Sequence, residues 1–175
     1  TGVQTCALPI SRLDAIAREL SSAHSIDVKT HPQDLSFSEA AEELIKWLGE
    51  QQLHVEILVN NAGFGTHGPF HEVDWNTTEE MLDLNMRTPT CLTRLLIPEM
   101  LSRGRGRILN VASTAAFQPG PFMACYFASK AYVLSLTEAI AEELSGTGVT
   151  VTAFCPGPTR TQFQKRAKTE HIREN

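Results

Sequence analysis

Three short strand-like runs, separated by long stretches of helical pattern, restrict the folds open to this chain of 175 residues. The first run, residues 55–59, is rich in β-branched side chains, which is typical of a strand buried on both faces in a parallel sheet. Further strands are predicted at residues 107–112 and 149–154, and helices at residues 12–21, 77–85, 89–102 and 124–144. Strands and helices that alternate over this length predict an α/β doubly wound parallel sheet with right-handed crossovers.

The region before the first run is predicted to contain one strand and one helix. Residues 26–30 alternate between apolar and polar side chains, which favours a short strand. Ser36 and Glu39 have the spacing of a capping box, which predicts that a helix begins there. The apolar stripe of that helix comprises Ala41, Leu44, Ile45 and Leu48.

Composition and charge exclude several classes of protein. The net charge is −5 and the basic residues form no long cluster, which argues against a nucleic-acid surface. No apolar run approaches the roughly 18 residues of a membrane span. The four cysteines, which lack CxxC or metal-ligand spacing, are Cys6, Cys91, Cys125 and Cys155. This pattern predicts reduced thiols in a cytoplasmic protein and no metal site.

The first ten residues, TGVQTCALPI, differ from the rest of the chain. They carry no charge and no useful periodicity, and they meet the helical pattern abruptly at Ser11. We expect residues 1–10 to be a non-native leader, the translation of a sequencing-adapter oligonucleotide joined in frame. A disordered amino-terminal tail is the alternative interpretation.

The stretch from residue 105 to residue 135 contains the strongest chemical pattern. A predicted strand delivers Ser113 at its carboxyl end, and the following helix carries Tyr126 and Lys130. Residues four apart on a helix lie on one face, so the phenol and the ammonium are expected side by side. The cation is then expected to lower the pKa of Tyr126, and a hydroxyl aimed at the same place could hold a carbonyl oxygen.

Other polar and glycine-rich motifs fall at the ends of predicted strands. They are Asp34, the NNAG motif at residues 60–63, Ser113 and the CPG motif at residues 155–157. Doubly wound sheets bind ligands at the carboxyl ends of their strands, so the four placements predict one ligand site.

The chain resembles the nicotinamide-dependent short-chain dehydrogenase/reductase family in a set of motifs that occur in order. They are NNAG at residues 60–63, Asn85, Ser113, Tyr126-x-x-x-Lys130 and Pro156-Gly157. The similarity covers residues 12–163 and implies a Rossmann-like fold. It also implies NADP or NAD as cofactor, with NADP favoured, and a small-molecule carbonyl or alcohol as substrate. In this family the helices that match residues 89–102 and 124–144 commonly pair between subunits, which implies a homodimer or homotetramer.

The resemblance assigns chemistry to four residues. Tyr126 would be the general acid in carbonyl reduction, or the base in alcohol oxidation. Lys130 would lower the pKa of Tyr126 and hydrogen-bond the nicotinamide ribose. Ser113 would hold the substrate oxygen, and Asn85 would hold a water that links Lys130 to solvent.

The resemblance also implies a cofactor-binding set. Asp34 would hydrogen-bond the adenine, and Leu35 would pack on its ring. Asn61, Ala62 and Gly63 would pass under the cofactor, with the Asn61 side chain tying adjacent strands. The residues expected at the nicotinamide carboxamide are Pro156, Gly157, Thr159 and Thr161. By their position between Ser113 and Tyr126, Ala115, Gln118 and Phe122 are predicted to line the substrate pocket.

The chain departs from the family pattern at both ends. The family's first strand, its TGxxxGxG turn, the following helix and the second strand are not among these residues, and neither is its last strand. We therefore expect an incomplete sheet with a gap beside residues 55–59, formed by residues 11–163. Residues 164–175 would begin a substrate loop or form a mobile tail. The chain on its own is expected to be poorly soluble and to bind the cofactor weakly.

Two other readings of the chain remain open. A protein with this fold could bind a dinucleotide or a partner without catalysing a reaction. The chain could also be an inactive gene fragment.

Overall fold

A computed structural model of the protein describes residues 2–4 and 10–158, with side chains from residue 12 onward. The strands are β1 (Gly2–Gln4), β2 (Ile57–Asn60), β3 (Gly106–Val111) and β4 (Val149–Phe154). The helices are α1 (Ile10–His24), α2 (Ala40–Glu50), α3 (Trp75–Leu82), α4 (Thr88–Ser102) and α5 (Ala124–Glu143). A π-helical turn, Asp83–Arg87, joins α3 to α4, and a short 3-10 helix, Thr114–Phe117, follows β3.

The four strands form one parallel sheet in the order β1-β2-β3-β4. Ile57 pairs with Arg107 between β2 and β3, and Gly106 pairs with Val149 between β3 and β4. All three junctions are parallel, and the connections between β2, β3 and β4 are helical. The α/β architecture with a parallel sheet is therefore confirmed.

One large apolar cluster joins the helices to the sheet. Helices α2 and α4 contribute three buried side chains each, and the strands contribute Leu58, Ile108, Val149 and Val151. Close packing is visible at Gly106, where an added Cβ would lie 2.5 Å from the Cγ of Met100. The predicted stripe of α2 is confirmed, since Ala41, Leu44 and Leu48 are buried and Ile45 packs against the cluster.

The strand predicted at residues 26–30 does not form. Ile26 is half exposed, and the segment pairs with no strand of the sheet. An alternating pattern needs a neighbouring strand to supply its hydrogen bonds, and no strand of the described residues lies beside this segment. Residues 2–4, which we expected to stand outside the fold, pair with the sheet, in place of the expected gap beside β2. Their origin as a non-native leader stays a prediction.

The capping box predicted for α2 is also wrong. The helix begins at Ala40 after Glu39, whose side chain makes no capping hydrogen bond. The backbone N–H and the hydroxyl of Ser36 donate instead to Asp34 Oδ1, at 2.9 and 2.7 Å. A local turn around Asp34 is therefore preferred to a cap, because its carboxylate satisfies both donors within two residues.

Among the helices of the part that the structure describes, none is long and apolar enough to cross a membrane.

Candidate active site

Lys130 lies where the first half of α5 meets the end of β3. Its side chain is only 7% exposed, and Nζ donates a hydrogen bond of 2.8 Å to the carbonyl oxygen of Val111. Burial lowers its pKa to about 8, and the neighbouring Cys155 thiol opposes that change. The ammonium is thus anchored at the carboxyl end of β3, with a pKa close to neutral pH.

Tyr126 lies one helical turn before Lys130, with Nζ 5.9 Å from the centre of its ring. Burial raises the pKa of Tyr126, and a hydrogen bond with the Ser113 side chain partly offsets that rise. The expected lowering by Lys130 is therefore not seen in this structure. The physical reason is that the ammonium faces the phenol ring and the Val111 carbonyl, while the loss of hydration disfavours a phenolate.

Ser113 reaches Tyr126 because it sits at a sharp change of direction after β3. It caps the short 3-10 helix, where its Oγ accepts a hydrogen bond of 3.1 Å from the backbone N–H of Ala115. An Oγ that accepts from the backbone keeps its own proton for another partner. The pairing of Ser113 with Tyr126 thus places two hydroxyl groups together at this edge of the sheet.

Asn85 lies in the π-helical turn and is 2% exposed. Its Nδ2 donates to the carbonyl of Phe64 at 2.9 Å and to Ser129 Oγ at 3.1 Å, while its Oδ1 accepts from the Phe64 N–H at 3.2 Å. One amide thereby ties the loop after β2 to α5. Single π-helical turns inside helices recur at functional sites. The predicted water between Asn85 and Lys130 stays a prediction.

Gly63 passes very close to this amide. A Cβ on Gly63 would lie 2.8 Å from Asn85 Oδ1 and 3.6 Å from Lys130 Nζ, so the backbone approaches both side chains as only glycine allows. Ala62 packs beside Phe64 against a second small apolar cluster that includes Leu35. The loop after β2 is therefore held against the residues that carry the proposed chemistry.

The strand-tying role predicted for Asn61 belongs to Asn60. Asn61 is exposed, whereas the buried Asn60 donates from Nδ2 to Asn110 Oδ1 at 2.8 Å and to Thr93 Oγ1 at 3.2 Å. Asn110 Nδ2 donates in turn to Thr137 Oγ1 at 2.9 Å. These side chains join β2 and β3 to α4 and α5. Sequence reasoning missed Asn110, although an amide within the apolar run of β3 is a signal of a buried hydrogen-bonded group.

Asp34 and Leu35 border a cavity of ≈ 220 Å³. Leu35 is buried, and its carbonyl accepts a hydrogen bond of 2.7 Å from Thr88 Oγ1 at the start of α4. Gln33 also lines the cavity, and its buried Oε1 has no hydrogen-bond partner in the described part of the chain. The remaining lining residues are Ser36, Phe64, Thr77, Glu80 and Leu84.

The loop after β4 approaches the end of β3. The carbonyl of Pro156 accepts a hydrogen bond of 3.0 Å from the N–H of Thr114. Gly157 is exposed, and an added Cβ would meet no atom within 4 Å. Thr159 and Thr161 lie outside the described residues. Pro156 thus joins the edge that holds Ser113, whereas the rest of the predicted carboxamide set is undecided.

The three residues predicted to line the substrate pocket differ in their surroundings, and their role stays a prediction. Gln118 lines an apolar cavity of ≈ 580 Å³ between the 3-10 helix and α5, where Phe127 is also found. Ala115 is buried, and Phe122 is 59% exposed with a left-handed backbone at φ 64°. Neither contributes to the lining of that cavity. Within the described residues, no group of three His, Cys, Asp or Glu side chains could hold a metal ion.

The protein is thus of the α/β class, with Ser113, Tyr126 and Lys130 grouped at the carboxyl edge of a parallel sheet. The family model for short chain dehydrogenases matches residues 2–171, and the chain belongs to that family. An uncharacterised oxidoreductase of Staphylococcus saprophyticus is 33% identical over 147 residues, which are 84% of this chain and 63% of that protein.

Solved structures of dehydrogenases are also similar to this chain in fold and sequence. A short-chain dehydrogenase from Sphingobium yanoikuyae in complex with NADPH is 31% identical with a TM-score of 0.86, covering 94% of this chain and 65% of that one. The bulky-bulky ketone specific alcohol dehydrogenase from Comamonas testosteroni is 30% identical with a TM-score of 0.82, covering 89% and 62%. The predicted Rossmann-like fold is confirmed. The chain spans less than two thirds of the length of these proteins.

Proposed function

We propose that the whole protein to which this chain belongs is an NAD(P)-dependent oxidoreductase acting on a small carbonyl or alcohol compound. The observation that carries this proposal is the Ser113–Tyr126 hydrogen bond next to the buried ammonium of Lys130. A non-catalytic binding protein has no use for a tyrosine, a serine and a lysine arranged for proton transfer.

The residues present fit a nicotinamide cofactor. The loop at Gly63 lies against Asn85 and Lys130, and the cavity at Asp34 and Leu35 contains the unpaired acceptor of Gln33. When bound, the nicotinamide ring supplies or accepts the hydride. NADP is the proposed cofactor, in line with the NADPH-bound relative from Sphingobium yanoikuyae.

Particular residues are proposed to hold that cofactor. Asp34 and Leu35 would bind the adenine, and Lys130 the nicotinamide ribose. The loop formed by Asn61, Ala62 and Gly63 would support it from below. The proposed carboxamide contacts are Pro156, Gly157, Thr159 and Thr161.

In the proposed reaction, Tyr126 holds and releases the proton. Its raised pKa keeps the phenol protonated at neutral pH, which suits a general acid that protonates a carbonyl oxygen during reduction. Ser113 donates a hydrogen bond to the same oxygen. Lys130, with a pKa near 8, can return a proton to Tyr126 through a water held near Asn85.

Replacing Tyr126 by Phe in the whole protein tests the proposal. We expect turnover of carbonyl substrates with NADPH to fall by roughly 10²–10⁴-fold, because the acid is removed. Binding of NADPH, followed by its fluorescence, should stay within about threefold of the wild-type affinity.

Tyr132→Phe is the matched control, since it removes the hydroxyl of the other tyrosine of the same helix, which lies 3.1 Å from Thr90 Oγ1 on α4. It should retain full turnover. Unchanged turnover in Tyr126→Phe would contradict the assignment, and wild-type protein that binds NADPH without any turnover would favour the non-catalytic reading.

We also propose that the whole protein is a homodimer or homotetramer, with α4 and α5 at the interface. Leu95 and Leu101 on α4 and Tyr132 on α5 are exposed, which supports contact with a second copy.

A further inference from the structure

Two segments next to the candidate active site carry no formal charge. Residues 61–70 follow β2 and residues 113–128 follow β3, and neither contains Asp, Glu, Lys or Arg. Both segments leave the sheet at its carboxyl edge, where Ser113 and Tyr126 lie. A ligand held between them would meet apolar and neutral polar groups, and His67 is the one side chain of the two segments that can become cationic.

The two segments are tied together at Phe122. The backbone N–H of Gly68 donates a hydrogen bond of 2.8 Å to the Phe122 carbonyl. The rings of His67 and Phe122 lie 6.1 Å apart with a tilt of 32°. Phe122 is thereby held four residues before Tyr126, at the entry to α5.

This tie maintains a strained backbone. Phe122 has φ 64°, a left-handed conformation that costs an L residue with a bulky side chain free energy unless its surroundings enforce it. Such residues cluster at ligand-binding and active sites. The Phe122 ring is also 59% exposed rather than packed into the core.

We propose that the Phe122 ring, positioned by His67 and Gly68, forms an apolar wall of the substrate site and selects uncharged carbonyl compounds with a bulky apolar substituent. The inference rests on the proposed function and adds the substrate class and a positioning pair to it. His67 acts through Phe122, and Phe122 touches the substrate.

Acetophenone and 4-acetylbenzoate form a suitable pair of probes, because they differ by one carboxylate on the same ring. Binding of each to the whole protein saturated with NADP⁺ is measured by calorimetry, and turnover with NADPH is measured separately. We expect acetophenone to bind at least tenfold more tightly than 4-acetylbenzoate. Phe122→Ala should weaken acetophenone binding by roughly tenfold through lost apolar contact, and raise KM more than it lowers kcat.

Three further variants distinguish a direct contact between Phe122 and the substrate from a general disturbance of the structure. Phe37→Ala removes a ring of similar exposure (67%) far from both segments in sequence, and should leave binding unchanged. His67→Ala should weaken acetophenone binding severalfold, and His67→Phe should restore it by keeping a ring against Phe122. Each variant should bind NADP⁺ as the wild type does.

Equal binding of the two probes, or acetophenone binding that is insensitive to Phe122→Ala, would overturn the inference. Loss of NADP⁺ binding in the Phe122 variant would overturn it as well, because the residue would then be supporting the fold. Selective binding of acetophenone without turnover of any ketone would instead uphold the wall and refute the proposed oxidoreductase function.

Discussion

At the scale of single residues, burial rather than pairing determines the protonation of the two candidate proton-transfer groups. Tyr126 and Lys130 are both shifted toward their neutral forms, which raises one pKa and lowers the other. A phenol that stays protonated and an amine that titrates near pH 8 are suited to giving a proton and replacing it. The Ser113 hydrogen bond is the opposing influence on Tyr126.

The buried Lys130 should make stability depend on pH. Its folded pKa of about 8 lies below the usual 10.5, so the unfolded chain binds more protons between those values and stability rises with pH across that window. The difference corresponds to about 3 kcal/mol, and this full loss of stability is present below pH 8.

Urea unfolding of the Lys130→Met variant, measured from pH 7 to 10.5, should lack the rise in stability that the wild type shows. Lys46→Met, at an exposed lysine, should keep it, and identical pH profiles for wild type and Lys130→Met would contradict the shift.

The buried amides Asn60 and Asn110 should be energetically coupled. Asn110→Leu removes one of the two hydrogen bonds of Asn60 Nδ2 and the hydrogen bond that Thr137 Oγ1 accepts, in a buried site, so we expect a loss of about 3 kcal/mol in the free energy of unfolding. Asn60→Leu combined with Asn110→Leu should cost less than the sum of the two single changes. Urea denaturation measures all three. Asn76→Leu, at an exposed site on α3, should change stability by less than about 0.5 kcal/mol, and strict additivity of the two core changes would disprove the coupling.

At the scale of elements, the turns that follow α4 and α5 contact each other. The turn after α5 places Gly148 against the turn after α4, and a Cβ on Gly148 would lie 2.1 Å from the carbonyl oxygen of Gly104. Gly146 has a similar backbone, with φ 78° against 83°, but no atom lies within 4 Å of its Cβ position. Two glycines two residues apart thus have similar positive φ angles and differ in the space around the Cβ position.

These two glycines make a matched test of that packing. Gly146→Ala should cost about 1 kcal/mol, the price of a left-handed alanine. Gly148→Ala should cost at least about 3 kcal/mol, because a backbone carbonyl cannot move aside as a flexible side chain can. Thermal and urea unfolding of the two variants give the comparison. Equal losses would mean that the two turns are not in contact in solution.

At the scale of the whole molecule, the exposed faces of α4 and α5 set the expected assembly. The two helices adjoin, since Thr90 Oγ1 and Tyr132 Oη lie 3.1 Å apart. We expect the whole protein to sediment as a dimer or tetramer at micromolar concentration. Leu95→Glu should shift it toward the monomer by placing a charge in an apolar contact. Phe37→Glu is the control at another exposed ring, and a wild-type monomer in analytical ultracentrifugation would contradict the proposed interface.

Much of the architecture followed from local patterns. The strand at residues 149–154 was predicted with its observed bounds, and α4 and α5 with differences of one residue. The adjacency of Ser113, Tyr126 and Lys130 followed from the helical period and from the rule that parallel strands end at one edge. Such inferences succeed because the spacing of apolar residues is a local property of the sequence and does not depend on which distant segments pack together.

Other features depended on which segments meet. Residues 26–30 have a strand pattern but form no strand, because no strand of the described sheet lies beside them to supply hydrogen bonds. Asn60 rather than Asn61 joins the strands, because alternate residues of a strand point to opposite sides and only the fold decides which side holds Asn110. Ser36 is a different case, because it donates to the carboxylate of Asp34 two residues earlier and so forms a local turn in place of the predicted cap.

The sequence alone determined the fold class, the family and the identity of the groups at the carboxyl edge of the sheet, because these depend on residue type and spacing. Tertiary structure decided how those groups behave. The pKa of Tyr126 rises because its hydration is lost, and that loss depends on the packing around it. The left-handed Phe122 is held by Gly68, which lies 54 positions earlier in the chain. Desolvation and contacts between distant segments are properties of the assembled molecule, and no local pattern encodes them.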